Sequence, residues 1–362
     1  MGNWSELNND LLIEVAQQLT WLQDLVAFGG VCSSWRSVAT VVKLTFNYNR
    51  APWLMLAPEK CTDQRRFFSL SKGMTRQFIL PEANGKKCFS SKGWLITVAQ
   101  DLSMSLLHPF SRRQIKLPHI KTIKNWRDLK TTKMYANFIF KCALSSSPDY
   151  SSNYTIVISY VGKLAYARPG DRSWIPIDLN AYYHDIIFYN GLLYAVKTSQ
   201  VRAFDIRGNN PTVVQEVSSL PSELLRFFPG SWYVAESTRK LLVIVREGSQ
   251  VNDNWSYGTT RFQVLGLDFL TNTWTEVENL GDRALFLGHN SSFSVDASIS
   301  HCKANCIYFT DDCVDAYWYI ACKGGGKDMG IYDLQEETIE PFFKGDSYNR
   351  ITPPMWVEKN FI

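Results

Sequence analysis

After Tyr48 the helical period vanishes. The chain becomes a succession of short runs rich in Val, Ile, Tyr, Phe, Trp and Thr, cut by Gly, Asn, Asp, Ser and Pro. Residues 93–98, 154–160, 190–196 and 240–245 are typical. A looser repeat lies over these runs: a strand ending in Asp, a polar turn, then a closing strand. It recurs at Asp205, Asp268 and Asp333, and again at His108-Pro109 with His in the place of Asp. In such a hairpin the Asp side chain bonds the turn backbone. Units of ~40–50 residues built from short antiparallel strands cannot bury their faces singly, so they close into a ring, a β-propeller. Units begin near Trp53, Cys88, Lys133, Asp185, Ser231 and Ala284, which gives six kelch-like blades of about 48 residues each. A seventh blade stays open if 231–283 divides differently, and a pair of β-sandwiches is the alternative fold.

The first forty-five residues keep the other period. Leu11, Val15 and Leu19 recur at i, i+4 and i+8, and Leu12 and Ala16 widen the stripe, so 9–19 is an amphipathic helix. Asn8 or Asn9 can cap its first turn, and Asp10 suits the positive end. A second short helix is expected near 22–28, stopped by Gly29-Gly30. A third carries Val31, Trp35 and Val38 on one side, with Cys32 and Ala39 alongside. Three short helices bury little surface alone, yet Trp4, Leu7, Leu11, Ile13 and Val15 crowd the segment. Either it caps the sheet domain or its spare apolar residues meet a partner. The expected molecule is multidomain: a small all-α three-helix unit, then an all-β propeller.

Of the 362 residues, 45% are apolar and 20% charged, which excludes disorder, collagen and coiled coil for the chain as a whole. No apolar run approaches the ~18 residues of a membrane span. Residues 1–6 lack the basic head and apolar stretch of a secretory signal. The expectation is therefore no membrane, and reduced cysteines in cytoplasm and/or nucleus. The net charge of +4 hides an asymmetry: residues 50–141 hold 18 Lys and Arg against 5 Asp and Glu, whereas 142–362 hold 18 against 25. Such asymmetry fits an acidic partner or a solvated face.

Trp4-Ser-Glu-Leu7, Asp10-Leu11-Leu12, Leu19, Asp24-Leu25-Val26 and Val31-Cys32-Ser-Ser-Trp35-Arg36 together resemble an F-box. The family's usual Pro after the first Leu is Asn8 here. Pro presets a helix start and Asn can cap the same helix, so the departure bears on affinity more than on fold. The resemblance implies docking on a Skp-type adaptor and, through it, on a cullin–RING ubiquitin ligase. The matching positions are Leu7, Asn8, Leu11, Leu12, Val15, Leu19, Leu25, Val31, Cys32, Trp35 and Arg36. Leu7, Leu11, Val15 and Val31 are expected to supply apolar contact. Trp35 is expected to hold the third helix against the first, and Cys32 to be a small packing residue.

Phe68-Ser-Leu-Ser, Leu80-Pro-Glu, Ser91-Lys-Gly-Trp-Leu, His108-Pro-Phe, Leu287-Gly-His-Asn-Ser-Ser-Phe-Ser294, Asn305-Cys-Ile-Tyr-Phe-Thr-Asp-Asp312 and Gly330-Ile-Tyr-Asp-Leu resemble the C-terminal domain of a large plant F-box family that includes the KIB-type proteins. This implies a propeller that binds a target protein on one face or at its channel rim, for ubiquitination by the ligase. KIB-type members bind glycogen-synthase-kinase-3-like kinases, so such a kinase is one class of target. The expected domains are 3–44 F-box, 45–51 linker, 52–343 propeller, and a 344–362 tail that packs back on either domain or serves as a docking strand.

The sequence offers little chemistry of its own. His301, Cys302, Cys306, Cys313 and Cys322 lack the second short-spaced pair that zinc needs, so no metal or cofactor is expected. There is no Gly-x-Ser-x-Gly. His108 and His289 sit in turn-like settings that suit structural hydrogen bonds. Asp311-Asp312 would face opposite sides of a strand, so a turn is expected after 305–310. Gly324-Gly-Gly-Lys327 lacks Walker spacing and reads as a flexible hairpin tip. The basic stretch 111–133 makes Arg112, Arg113, Lys124, Trp126 and Arg127 the candidate target-binding residues. They suit an acidic protein face or are a solvated loop. Nucleic acid is disfavoured, since one aromatic is central and no known motif surrounds it. No catalytic residue is assigned. Two other functions stay open. One is a propeller enzyme or glycan-binding protein with a helical cap, which needs convergent carboxylates or a Tyr/Arg cluster at the channel mouth. The other is an F-box protein with a non-degradative role.

Overall fold

The computed structural model describes residues 4–19, 22–45, 51–59, 62–123, 138–197, 200–208, 210–217, 219–222, 224, 231–248, 257–319 and 323–359. They form two compact units, divided after Arg50. The first has three helices: α1 (Asn9–Gln18), α2 (Leu22–Gly29) and α3 (Ser33–Thr45). Asn8 caps α1, its side chain accepting the Asp10 N–H at 3.3 Å from an extended backbone, as expected of an N-cap. Leu12 and Ala16, Leu25 and Phe28, and Val38, Ala39 and Val42 make the core, one set from each helix. Gly29 marks the closest approach of α2 to α3: a Cβ there would stand 3.1 Å from that of Ala39. Residues 46–50 of the expected linker lie outside the described residues.

The second unit holds six sheets, so the sandwich alternative falls and the propeller has six blades. Blade 2 is Lys87–Ser91, Trp94–Val98, Met104–Leu107 and Gln114–Lys116. Blade 3 is Ile139–Leu144, Ile156–Tyr160, Lys163–Ala167 and Ile175–Asp178. Blade 4 is Asp185–Tyr189, Leu192–Lys197, Gln200–Asp205 and Thr212–Glu216. Blade 5 is Ser231–Ser237, Lys240–Glu247, Arg261–Asp268 and Thr273–Glu276. Each is an antiparallel meander. Blade 1 is composite: Trp53–Met55, Gln64–Ser69 and Met74–Ile79 are joined by Met355–Val357, which pairs antiparallel with Trp53–Met55. The stretch 344–362 is thus more than a tail, and the propeller runs past 343. Met355, Trp356 and Val357 are fully buried.

Local chemistry explains the hairpins. Asp205, Asp268 and Asp333 each accept backbone N–H bonds from the residues that follow, at 2.9, 2.8 and 2.9 Å. His108 does the same work with Nδ1, accepting the Ser111 N–H at 3.0 Å. Two-residue turns at positive φ join the first two strands of blades 2, 4 and 5, at Lys92-Gly93, Asn190-Gly191 and Thr238-Arg239, and the second and third strands of blade 3, at Val161-Gly162. That is the turn whose twist matches the strands. The cores lie between neighbouring blades: Trp94 and Ile96 with Ile156 and Ile158, Leu193 and Ala195 with Leu164 and Val157, and so round the ring.

Blade 6 departs from the meander. Its order is Phe293–Asp296, Arg283–Leu287, Cys306–Phe309, Gly330–Asp333, Thr338–Glu340, with a parallel pair between Arg283–Leu287 and Cys306–Phe309. The chain enters second from the inner edge and turns inward through residues 288–292. It then crosses outward by the short α4 (Ala297–Ser300).

Candidate functional site

In the helical unit the two apolar stripes of α1 part company. Leu12 and Ala16 are buried, whereas Leu11 is 51% and Val15 45% exposed. Val31, before α3, and Trp4 are also exposed. Three of the four residues expected to make apolar contact therefore present their side chains, and Leu7 is half-buried against the core. Leu12 and Leu25, matched to the adaptor-docking pattern, are interior instead, because the unit must spend one stripe on its own core. Leu19 is half-buried.

Trp35 packs tilted against Phe28 of α2, ring centres 4.3 Å apart at 33°, and its indole N–H donates to the Trp4 carbonyl at 3.1 Å. It joins α3 to α2 and to the turn before α1, and packs against the core that Leu12 and Ala16 of α1 share. Arg36 Nε donates to the Gly29 carbonyl at 3.3 Å, closing the end of α2. Cys32 is half-buried, and its hydrogen bond with the Ser34 hydroxyl (3.0 Å) holds the thiol below its ordinary range.

On the propeller axis the residues of the 287–294 and 305–312 motifs come together. The loop 288–292 reaches three other blades. Lys141 of blade 3 donates to the Gly288 carbonyl at 2.5 Å, Ser291 N–H donates to Ser90 of blade 2 at 2.8 Å, and Ser292 Oγ donates to Asp185 of blade 4 at 2.9 Å. Arg246 of blade 5, fully buried, bonds Asp312 at 2.9 Å and Asp328 at 2.8 Å. Tyr233 donates to the same Asp312 at 2.9 Å. Asp311 accepts from Tyr257 (2.7 Å) and from the Gly326 and Lys327 N–H groups (2.8 and 3.1 Å), while burial pushes its carboxyl up to about 6.

The glycine run is therefore a backbone cradle for Asp311 and not a loose tip. A Cβ at Gly326 would stand 2.0 Å from the Ser347 carbonyl oxygen. As expected, the strand ends before Asp311, at Phe309. His289 is held far below the imidazole range by burial, with Lys87, Lys141 and Arg246 adding to it, and it meets the Tyr317 hydroxyl at 3.2 Å. This cluster looks like chemistry, but its carboxylates and cations face one another in the interior. At this level the 288–292 loop ties blades 2, 3 and 4 together through hydrogen bonds.

Among the described residues, no group of three or more His, Cys, Asp or Glu is placed to hold a metal, and no helix is long and apolar enough to cross a membrane. Burial pushes Cys302 and Cys313 up to about 12 and Cys306 to about 11.

Of the basic candidates, Lys124, Trp126 and Arg127 lie outside the described residues. Arg112 is clamped by Glu82, with Nε–Oε1 at 2.9 Å and Nη2–Oε1 at 2.6 Å. Arg113 points elsewhere, to a cavity of about 410 Å³ between blades 2 and 3, lined also by Asp149, Tyr150 and Tyr154. The sequence marked Arg113 only by charge. The cavity's other walls come from 148–154 and Pro169, and nothing local linked them to it.

Comparison with known proteins gives relatives over nearly the whole chain. F-box protein SKIP23 of Arabidopsis thaliana is 26% identical over 411 residues, covering 99% of this chain and 96% of the relative. F-box protein At2g17036 of the same plant is 25% identical over 404 residues, covering 99% and 95%. A third Arabidopsis F-box protein, At2g26160, is 26% identical over 344 residues, covering 85% and 96%. Residues 67–333, which span parts of all six blades, match the family model described as KIB1-4 beta-propeller. The chain belongs to the KIB1-4 beta-propeller family.

Proposed function

We propose that this protein is the target-recognition subunit of an SCF-type (Skp–cullin–F-box) E3 ubiquitin ligase. The helical unit docks on a Skp-type adaptor and the propeller holds a target protein. The observation that carries the reading is the split of α1. A unit this small cannot spare apolar side chains, yet it turns Leu11 and Val15 outward, with Val31 and Trp4 also exposed. The relatives' names as F-box proteins support it. The protein then works by proximity, raising the effective concentration of target lysines near a charged ubiquitin carrier. A glycogen-synthase-kinase-3-like kinase is the target class nominated by the family resemblance, and cytoplasm or nucleus the compartment.

The enzyme reading is less well served, because Asp312 and Asp328 are paired with Arg246, and Asp311 gives Oδ2 to Tyr257 and the glycine cradle, with Oδ1 buried and unpartnered among the described residues. The test is gel filtration of the full chain mixed with a purified plant Skp-type adaptor. Co-elution that is lost with Leu7→Ala/Leu11→Ala supports the reading. Two separate peaks for the wild type would refute it.

A further inference from the structure

Arg113 is 57% exposed, and the acid it meets, Asp149, stands 3.8 Å away, beyond hydrogen-bonding reach. Asp149 is already engaged. Its Oδ2 accepts the Trp94 indole N–H at 2.8 Å and the Ser147 hydroxyl at 3.2 Å, with His108 at 3.8 Å. The Arg113 guanidinium lies over the Trp94 ring, 5.6 Å from its centre, and its donors make no hydrogen bond among the described residues. Across the cavity Tyr154 is 4% exposed and lines the space, and its hydroxyl has no hydrogen-bond partner among the described residues. Ile115, Pro148 and Pro169 supply apolar wall. The lining carries one cation, Arg113, and one acid, Asp149; Asp149 is 3% exposed and gives Oδ2 to Trp94 and Ser147, so the exposed guanidinium is the charge the cavity presents outward.

We propose that the cavity between blades 2 and 3 is the target-reading pocket. It receives an anionic side chain, a carboxylate or a phosphate monoester, on an extended segment of the target protein. Arg113 pairs with the anion, Tyr154 donates its hydroxyl to it, and an adjoining ring or alkyl stem lies on Ile115, Pro148 and Pro169. At about 410 Å³ the cavity takes more than the charged group alone. The proposal rests on reading the propeller as the target-holding end.

The test is fluorescence anisotropy of the full chain with labelled pentapeptides that differ only in the central residue: Glu, Gln, phosphotyrosine or Tyr. At least one anionic peptide is expected to bind ten-fold or more tightly than its neutral partner, and comparison of the Glu and phosphotyrosine arms identifies the anion. Arg113→Gln is expected to remove that advantage and Tyr154→Phe to reduce it several-fold. Arg112→Gln should leave it unchanged, since Arg112 is spent on Glu82. The proposal is overturned if neutral and anionic peptides bind alike, if none binds, or if Arg113→Gln behaves as Arg112→Gln does. Melting temperature is read on every variant. Adaptor co-elution is measured on the same preparations. A chain that selects anionic peptides but binds no adaptor keeps the pocket and loses the ligase reading. A chain that binds the adaptor without selecting anions does the reverse.

Discussion

Leu11 and Leu12 are adjacent leucines with opposite work. Leu12 is fully buried, so Leu12→Ala is expected to cost about 2–5 kcal/mol by chemical denaturation. Leu11→Ala is expected to change stability by about 0.5 kcal/mol or less while weakening adaptor binding. Helical periodicity could not tell them apart. Both stripes are apolar and one residue apart, and only packing shows which one the unit keeps. Asp311 gives a pH signature. Its carboxyl, at 3.8 in the unfolded chain and about 6 in the fold, binds more protons when folded. Its contribution to stability is therefore present at low pH and lost as pH rises through about 6. Between pH 6 and pH 4 the wild type should gain about 2 kcal/mol relative to Asp311→Asn. Parallel profiles for the two proteins would contradict this. The turn expected at Asp311-Asp312 was legible from alternation. The cradle around Asp311 was not, because the Gly324–Gly326 stretch lies more than ten residues away and is joined to it only by the fold.

At the level of elements, hairpins were legible because their causes are local. An Asp, or His108, bonds its own turn, and Asn-Gly pairs accept positive φ. The blade starts read from these signals fall within six residues of the observed strands. What could not be read is pairing between distant segments. Met355–Val357 looked like a tail because its partner strand is some three hundred residues earlier. The order within blade 6 was hidden because a parallel crossover leaves no periodic trace. Removing 355–362 takes three fully buried side chains from blade 1 and strips Trp53–Met55 of its inner partner. The truncated protein is expected to melt on the order of 10 °C lower, or to aggregate. An unchanged melting curve would refute the closure described here.

Across the whole molecule, the propeller is held by contacts between blades and by the ties across its axis. Arg246 joins blade 5 to Asp312 and Asp328, and Lys141 joins blade 3 to the 288–292 loop. Arg246→Met leaves Asp328 buried without its cation and Asp312 with Lys141 alone, and about 3–5 kcal/mol of stability should be lost. The Arg113 cavity shares no residue with this cluster.

In the proposed function α1 supplies the adaptor contact and the propeller the target contact. Calorimetric titration of the full chain with a Skp-type adaptor tests this most directly, comparing wild type, Leu11→Ala/Val15→Ala and Arg113→Gln. The account predicts tight binding by the wild type and by Arg113→Gln, and at least a ten-fold loss with Leu11→Ala/Val15→Ala at unchanged melting temperature. Equal affinity in all three, or no binding in any, would contradict it.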